Sequence, residues 1–284
     1  MTTKFSFDCG IGNTRWGFML WPKHDTIVGR SLELYGEYSK VEVDLLCKVV
    51  RPGMTVVEVG GNIGALSVPI AKIIGETGRL IVFEPQYALN RILMANLAMN
   101  ECFNAQVLLA AAGVGVPGER LKIPLYDYSK EDNFGAIGRD MWDKNVGMDV
   151  PVIGIDKLVE LPVVHVMKID AEGMELEVLK GANKIIRRDW PWMFVENDRQ
   201  DRSVELIRHL KGLGYEVYWF VSMLYSEENF HDNKENVFGY QGSFNMVCRP
   251  PQGSMRVINI QGLNEVQEDD CTTSCPPQNL VVRI

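Results

Sequence analysis

MTVVEVGGNIGALSVPIAKII, residues 54–74, is the stretch from which the rest of the chain is read. Val56, Val57, Glu58 and Val59 form a short β-branched run between Pro52-Gly53 and Gly60-Gly61, too short for a helix and apolar enough for a buried strand. Gly60, Gly61 and Gly64 then permit positive φ and a close approach of backbone to a ligand. From Ile63 onward Ala65, Leu66, Val68, Ile70, Ala71, Ile73 and Ile74 make a helix that is apolar nearly all round, as a helix buried against a sheet must be. Strand, glycine turn and helix together predict the first unit of an open α/β nucleotide-binding domain, with the ligand at the carboxyl end of the strand.

The residues of the turn narrow the ligand. No Gly-Lys-Ser/Thr opens the helix, so a phosphate-cradling loop is excluded. Asn62 stands where a dinucleotide fingerprint needs its second glycine, against which pyrophosphate would lie. What remains is Glu58-x-Gly60-x-Asn62-x-Gly64, an acid before the turn, which suits a ligand carrying an ammonium and a sulfonium. S-adenosylmethionine answers that description. A second apolar strand, RLIVFEP at 79–85, ends in Glu84-Pro85, an acid placed to accept both hydroxyls of a ribose. Ala110, Ala111 and Ala112 end the third strand, at 106–111, and leave room for a flat adenine ring or simply pack closely.

Composition frames this reading. The chain has 284 residues, enough for one large domain with added segments, and a formal charge of −8 that argues against a nucleic-acid surface. No apolar run is long enough to span a membrane, and the first residues, MTTKFSFDCGIG, carry no signal core, so a cytoplasmic protein with reduced thiols is expected. Six cysteines are scattered, and Cys271 and Cys275 have no histidine beside them, so no metal site is expected there.

Residues 1–50 read as a β-rich lead-in and a covering helix, with Ser39 as N-cap and Glu42 completing a capping box. Tyr35, Glu37 and Tyr38 precede that helix and are expected to fold over the ligand or to pack on the surface. The main domain spans 51–250, and 114–155 is a long irregular insertion on the substrate side, with Asn133 and Phe134 facing the ligand or a solvated tip. The strand at 163–169 ends in Asp170-Ala171-Glu172-Gly173 before one helix over 174–186. The strand at 192–195 ends in Glu196-Asn197-Asp198. Asp170, Glu172 and Glu196 are therefore candidates to position a reacting group or act as a general base, with helix capping as the other reading of Asp170 and Glu172. His231, in the loop NFHDNKENVFGYQ, is a further candidate base, since histidine ordinarily titrates near pH 6.5. Residues 251–284 lack periodicity and read as a tail.

EVGGNIGALS (58–67), VFEPQ (82–86), ANLAMN (95–100), KIDAEGMELEVLKGA (168–182) and VEND (195–198) resemble the FkbM family of S-adenosylmethionine-dependent methyltransferases. The resemblance covers about residues 25–250, and KIDAEGMELEVLKG is its most distinctive piece. Glu58 and Gly61 depart from the Asp and Ala more usual there. It implies a Rossmann-like class I fold, α/β, with a mostly parallel seven-stranded sheet and helices on both faces. It also implies methyl transfer, usually to a hydroxyl of a sugar or secondary metabolite. The expected cofactor residues are Glu58, Gly60, Asn62, Gly64, Glu84, Pro85, Ala111 and Asp170; the expected catalytic residues are Asp170, Glu172, Glu196 and His231, with no metal. Metal-assisted deprotonation through Asp170, Glu196 and Asp198 ranks second. N-methylation of a small molecule, a non-catalytic module on the same fold and, less compatible with Asn62, a nicotinamide-dependent oxidoreductase are the alternatives. The expected partner is a small-molecule acceptor, with no nucleic acid; a homodimer is left open.

Overall fold

The computed structural model describes residues 7–136, 147–158, 161–251 and 265–266. A hairpin of β1 (Cys9–Thr14) and β2 (Gly17–Pro22) leads into α1 (Val28–Tyr35) and α2 (Lys40–Val49). Then come β3 (Thr55–Val59), α3 (Ser67–Ile74), β4 (Arg79–Phe83), α4 (Tyr87–Met99) and β5 (Ala105–Leu108). The insertion forms a small sheet of its own from β6 (Ala111–Ala112), β7 (Arg120–Ile123) and β8 (Met148–Ile153), in the order β6-β8-β7. The main sheet resumes with β9 (Val166–Ile169), α5 (Glu175–Gly181), α6 (Asn183–Asp189), β10 (Trp192–Glu196), α7 (Gln200–Gly212), β11 (Glu216–Met223) and β12 (Gly242–Arg249).

Its order is β11-β12-β10-β9-β3-β4-β5, with β12 antiparallel to both neighbours and the remaining pairings parallel. The fold is therefore α/β and Rossmann-like, with the connections leaving in opposite directions from the adjacent strands β3 and β9. A ligand crevice opens at the carboxyl ends of such strands. Both faces are covered. One buries Val56, Val82, Val166 and Phe194 under α2, α3 and α4; the other buries Val57, Ile81, Met167 and Val195 under α5, α6 and α7. Side chains alternate along each strand.

Three local expectations are corrected. The helix expected over 174–186 is two helices. Gly181 packs against the carbonyl of Gly113, and Asp156 accepts hydrogen bonds from the N–H groups of Lys184 and Ile185, both at 2.9 Å, so a new helix starts beyond Ala182. The capping box at Ser39 does not form. Ser39 takes positive φ (47°) and donates its hydroxyl to Glu42 Oε2 at 3.1 Å instead of accepting from the helix backbone. Part of the tail belongs to the core: Val266 is fully buried and its N–H donates to the carbonyl of Val217 at 2.8 Å, on the edge strand β11. Cys271 and Cys275 lie outside the described residues.

Candidate active site

A cavity of about 530 Å³ opens over the carboxyl ends of β3, β4, β9 and β10, within the range of small-ligand pockets. Its floor begins at the glycine turn. Gly60 has φ of 84°, and a Cβ there would overlap the carbonyl oxygen of Asp170, so only glycine lets β3 and β9 close up at this point. Asn62 also takes positive φ (48°) and presents its backbone N–H to Glu84 Oε2 at 2.8 Å. The second oxygen, Oε1, accepts from the N–H of Gln86 at 2.7 Å. Glu84 is thus locked by two backbone donors at the end of β4 while still lining the cavity. Burial pushes its pKa up to about 8 despite those donors. Pro85, Ala111 and Ala112 line the neighbouring wall.

The opposite wall is acidic. Asp170, Glu172, Glu196 and Asp198 all line it, and one carboxylate oxygen each of Asp170, Glu172 and Glu196 lie within 4.8 Å of one another. Helix capping does not account for Asp170. α5 (Glu175–Gly181) has no side-chain cap at its N-terminus; Glu175 Oε1 instead braces the turn before it, accepting from the N–H groups of Ala171 at 3.0 Å and Gly173 at 2.9 Å. Glu172 stands in the left-handed region (φ 50°) and accepts from Arg199 Nη2 at 2.6 Å. Burial raises its pKa to about 8, reinforced by Asp170 and Asp198. Glu196 is shifted in the same direction, first by burial and then by Asp170, Glu172 and Asp198.

Beneath this wall lies Lys168, which is 2 % exposed. It shares a face of the sheet with Glu58, its partner in the β3–β9 register. Its Nζ sits 3.1 Å from Glu42 Oε1 on α2 and 3.3 Å from Asp170 Oδ2. Burial opposes its charge, but Glu42, Asp170 and Glu196 outweigh it and hold the ammonium above its ordinary range. Lys168 is a site component that the sequence reading did not single out, and neither is Gln86, which lines the cavity and donates from Nε2 to the carbonyl of Phe134 at 2.7 Å.

Several expected residues stand elsewhere. Glu58 does not reach the cavity. It is 1 % exposed, accepts from the Ser67 hydroxyl at 2.6 Å, and its pKa is pushed up to about 8 by burial. Gly64 does not line the cavity either: its φ is 87°, and a Cβ there would run into Leu93 of α4, so it serves packing. His231 is not at the site: its loop folds back over Gly36, and its Nε2 lies 3.0 Å from the carbonyl of Asn13 in the N-terminal hairpin. Phe134 is fully buried among Tyr126 and Tyr128, whereas its neighbour Asn133 lines the cavity. Of the segment before α2, Tyr38 lines the cavity; Tyr35 is in the core and Glu37 is paired with Arg15.

The methyltransferase FkbM domain matches residues 58–217, more than half of the chain, from the carboxyl end of β3 through β10. The chain belongs to the FkbM methyltransferase family. It is accordingly an S-adenosylmethionine-dependent methyltransferase. Solved structures similar to this FkbM protein include the methyltransferase FkbM of Methylobacillus flagellatus KT, at 15% identity over 73% of this chain and 50% of that one, with a TM-score of 0.46. Precorrin-6y C5,15-methyltransferase of Geobacter metallireducens GS-15 is 11% identical over 75% of this chain and 86% of that one, TM-score 0.46. Aeropyrum pernix fibrillarin with natively bound S-adenosyl-L-methionine is 13% identical over 87% and 85%, TM-score 0.45. No curated protein matches the chain. Among the described residues, no helix is long and apolar enough to cross a membrane.

The cavity fits the cofactor. Gly60 leaves bare backbone at its floor, each Glu84 oxygen keeps a lone pair beyond its backbone donor, and the small side chains of Ala111 and Ala112 leave width for a flat ring.

Proposed function

We propose that this FkbM protein transfers a methyl group to a hydroxyl of a small molecule, a sugar or secondary metabolite. When bound, S-adenosylmethionine supplies an already activated methyl carbon, so the protein has chiefly to align the acceptor and manage its proton. Glu84 would hold the ribose, with Gly60 and Asn62 at the methionine side and Pro85 and Ala111 beside the base. Asp170 would accept the hydroxyl's proton, because Lys168 at 3.3 Å fixes its Oδ2 and the carboxylate is not used as a cap of α5. Glu172, held by Arg199, and Glu196 would line the acceptor side.

The observation that carries this reading is the unequal furnishing of the one cavity. Its β4 end offers one locked acid beside small residues, and its β9–β10 end offers four carboxylates, more than capping or ion pairing consumes. A row of acids repels polyphosphate, which favours a neutral or cationic small acceptor over nucleic acid. The test is transfer of labelled methyl from S-adenosylmethionine to a panel of sugars, phenols and amines. Product labelled on oxygen supports the proposal. Product labelled only on nitrogen would replace it with amine methylation.

A further inference from the structure

The acid cluster has a geometry that methyl transfer alone does not require. Asp170 ends β9, Glu196 ends β10, and Glu172 is swung inward by its positive φ, so carboxylates from two adjacent strand ends and one loop converge within 4.8 Å. Glu196 is 9 % exposed, and its Oε2 is buried without a hydrogen-bond partner. Directly across the β10–β12 register stands Asn245, 1 % exposed, with both side-chain polar atoms also unpartnered. Cross-strand partners share a face of the sheet, so the unsatisfied groups form one buried polar spot beside the cluster. An orphaned carboxylate oxygen in such a place costs free energy unless something fills its coordination.

Charge points the same way. Four carboxylates, Asp170, Glu172, Glu196 and Asp198, face two cations, Lys168 and Arg199, and Lys168 is already opposed by Glu42. The donor atoms are all oxygen, the preference of hard cations, with no thiolate or imidazole to select zinc or copper. Around an octahedral cation with metal–oxygen distances of about 2.1 Å, neighbouring ligand oxygens stand about 3 Å apart and opposed ones about 4.2 Å. The separations here need only small closing movements.

We infer that Asp170, Glu172 and Glu196 bind one hard divalent cation of the magnesium or manganese class at the acceptor end of the cavity. There the cation would hold the acceptor oxygen and lower its pKa, so that the proton passes more readily to Asp170. That role rests on the hydroxyl-acceptor reading; the binding itself does not.

The probe is Mn²⁺ titrated into the full chain without S-adenosylmethionine, with free ion followed by electron paramagnetic resonance. One site per chain is expected, with a Kd on the order of 10⁻⁴–10⁻³ M, displaced by Mg²⁺. Glu196→Gln should weaken it about tenfold or more. Glu172→Gln, at a less buried position, should weaken it as well and serves should Glu196→Gln not fold, as judged by its thermal midpoint. No saturable binding at millimolar Mn²⁺, or binding unchanged in both variants, would overturn the site. Intact Mn²⁺ binding with no methylation of any hydroxyl would keep the site and refute the acceptor reading instead.

Discussion

Replacing Glu84 by glutamine tests the cofactor end of the cavity without removing its framework. In the wild-type protein each carboxylate oxygen already accepts a backbone N–H, from Asn62 and from Gln86, and keeps one lone pair for a ribose hydroxyl. Glutamine retains one acceptor and turns an NH₂ toward one of those donors. Two charge-assisted hydrogen bonds to the ribose are lost or weakened, about 2–4 kcal/mol, which is roughly a thirty- to eight-hundredfold loss in S-adenosylmethionine affinity. The mismatched backbone donor costs stability as well, about 1–3 kcal/mol. Because burial raises the Glu84 pKa to about 8, the empty protein at pH 6 holds the group protonated. Binding that needs the carboxylate must then displace a proton. At two pH units below the pKa that costs about 2.7 kcal/mol, roughly a hundredfold. Calorimetry at pH 6 and pH 8.5 should therefore find affinity rising with pH in the wild type, and a smaller rise in Glu84→Gln. A folded Glu84→Gln protein that binds within about threefold of wild type at pH 8.5, with the same pH dependence, would remove Glu84 from the ribose.

Four further outcomes are expected. Asp170→Asn should keep cofactor affinity but slow single-turnover methyl transfer about 10²-fold or more, and equal rates would return the search for a base to Glu196. Lys168→Met leaves Glu42 and Asp170 facing each other in the interior and should cost about 3–5 kcal/mol in chemical denaturation; Glu42→Leu added to it should recover part of the loss, and full additivity would show that the pair is not coupled. Asp25, Glu58 and Glu84 are acids with raised folded-state pKa values of about 6, 8 and 8. Their contribution is fully present below the unfolded carboxylate range and is lost as pH rises through those values, so the melting temperature of the cofactor-free protein should fall between pH 5 and pH 8.5; a rise would contradict the burial argument. Cutting after Gly253 removes Val266 from the core, about 1.5–3 kcal/mol of burial, and should lower the melting temperature by several degrees in a domain of this size, an unchanged midpoint arguing that the contact contributes nothing.

Much of the architecture was legible because it depends on short-range signals. The glycines between β3 and α3, the β-branched runs, and the acids at strand ends each follow from backbone conformation or alternation within a few residues. Glu84, Asp170 and Glu196 could be placed on the cavity for that reason. What could not be read depends on contacts far apart in sequence. Lys168 looks like a polar residue at the end of a strand until Glu42 arrives from α2. Glu58 sits on the strand that carries the motif, yet it is buried beneath α3, where Ser67 holds it. The split at Ala182 is set by Asp156 and Gly113 from the insertion, and His231 is drawn off by the N-terminal hairpin. The pairing of Val266 with β11 had no periodic signal to announce it.

The buried charged groups Glu58 and Lys168, paired across β3 and β9, with Glu196 two residues beyond Phe194 on β10 and Glu42 of α2 on Lys168, bear on anyone who would retarget this enzyme. Redesign of the acceptor preference by exchanging the wall acids would disturb charges that also fasten a helix to the sheet, so selectivity and expression would fall together. Asn133 in the insertion and Tyr240, 98 % exposed before β12, reach the same cavity from loops with no ion pair into those groups. Library diversity belongs at those two positions, where a new substrate contact can be tried while the electrostatic frame is left alone.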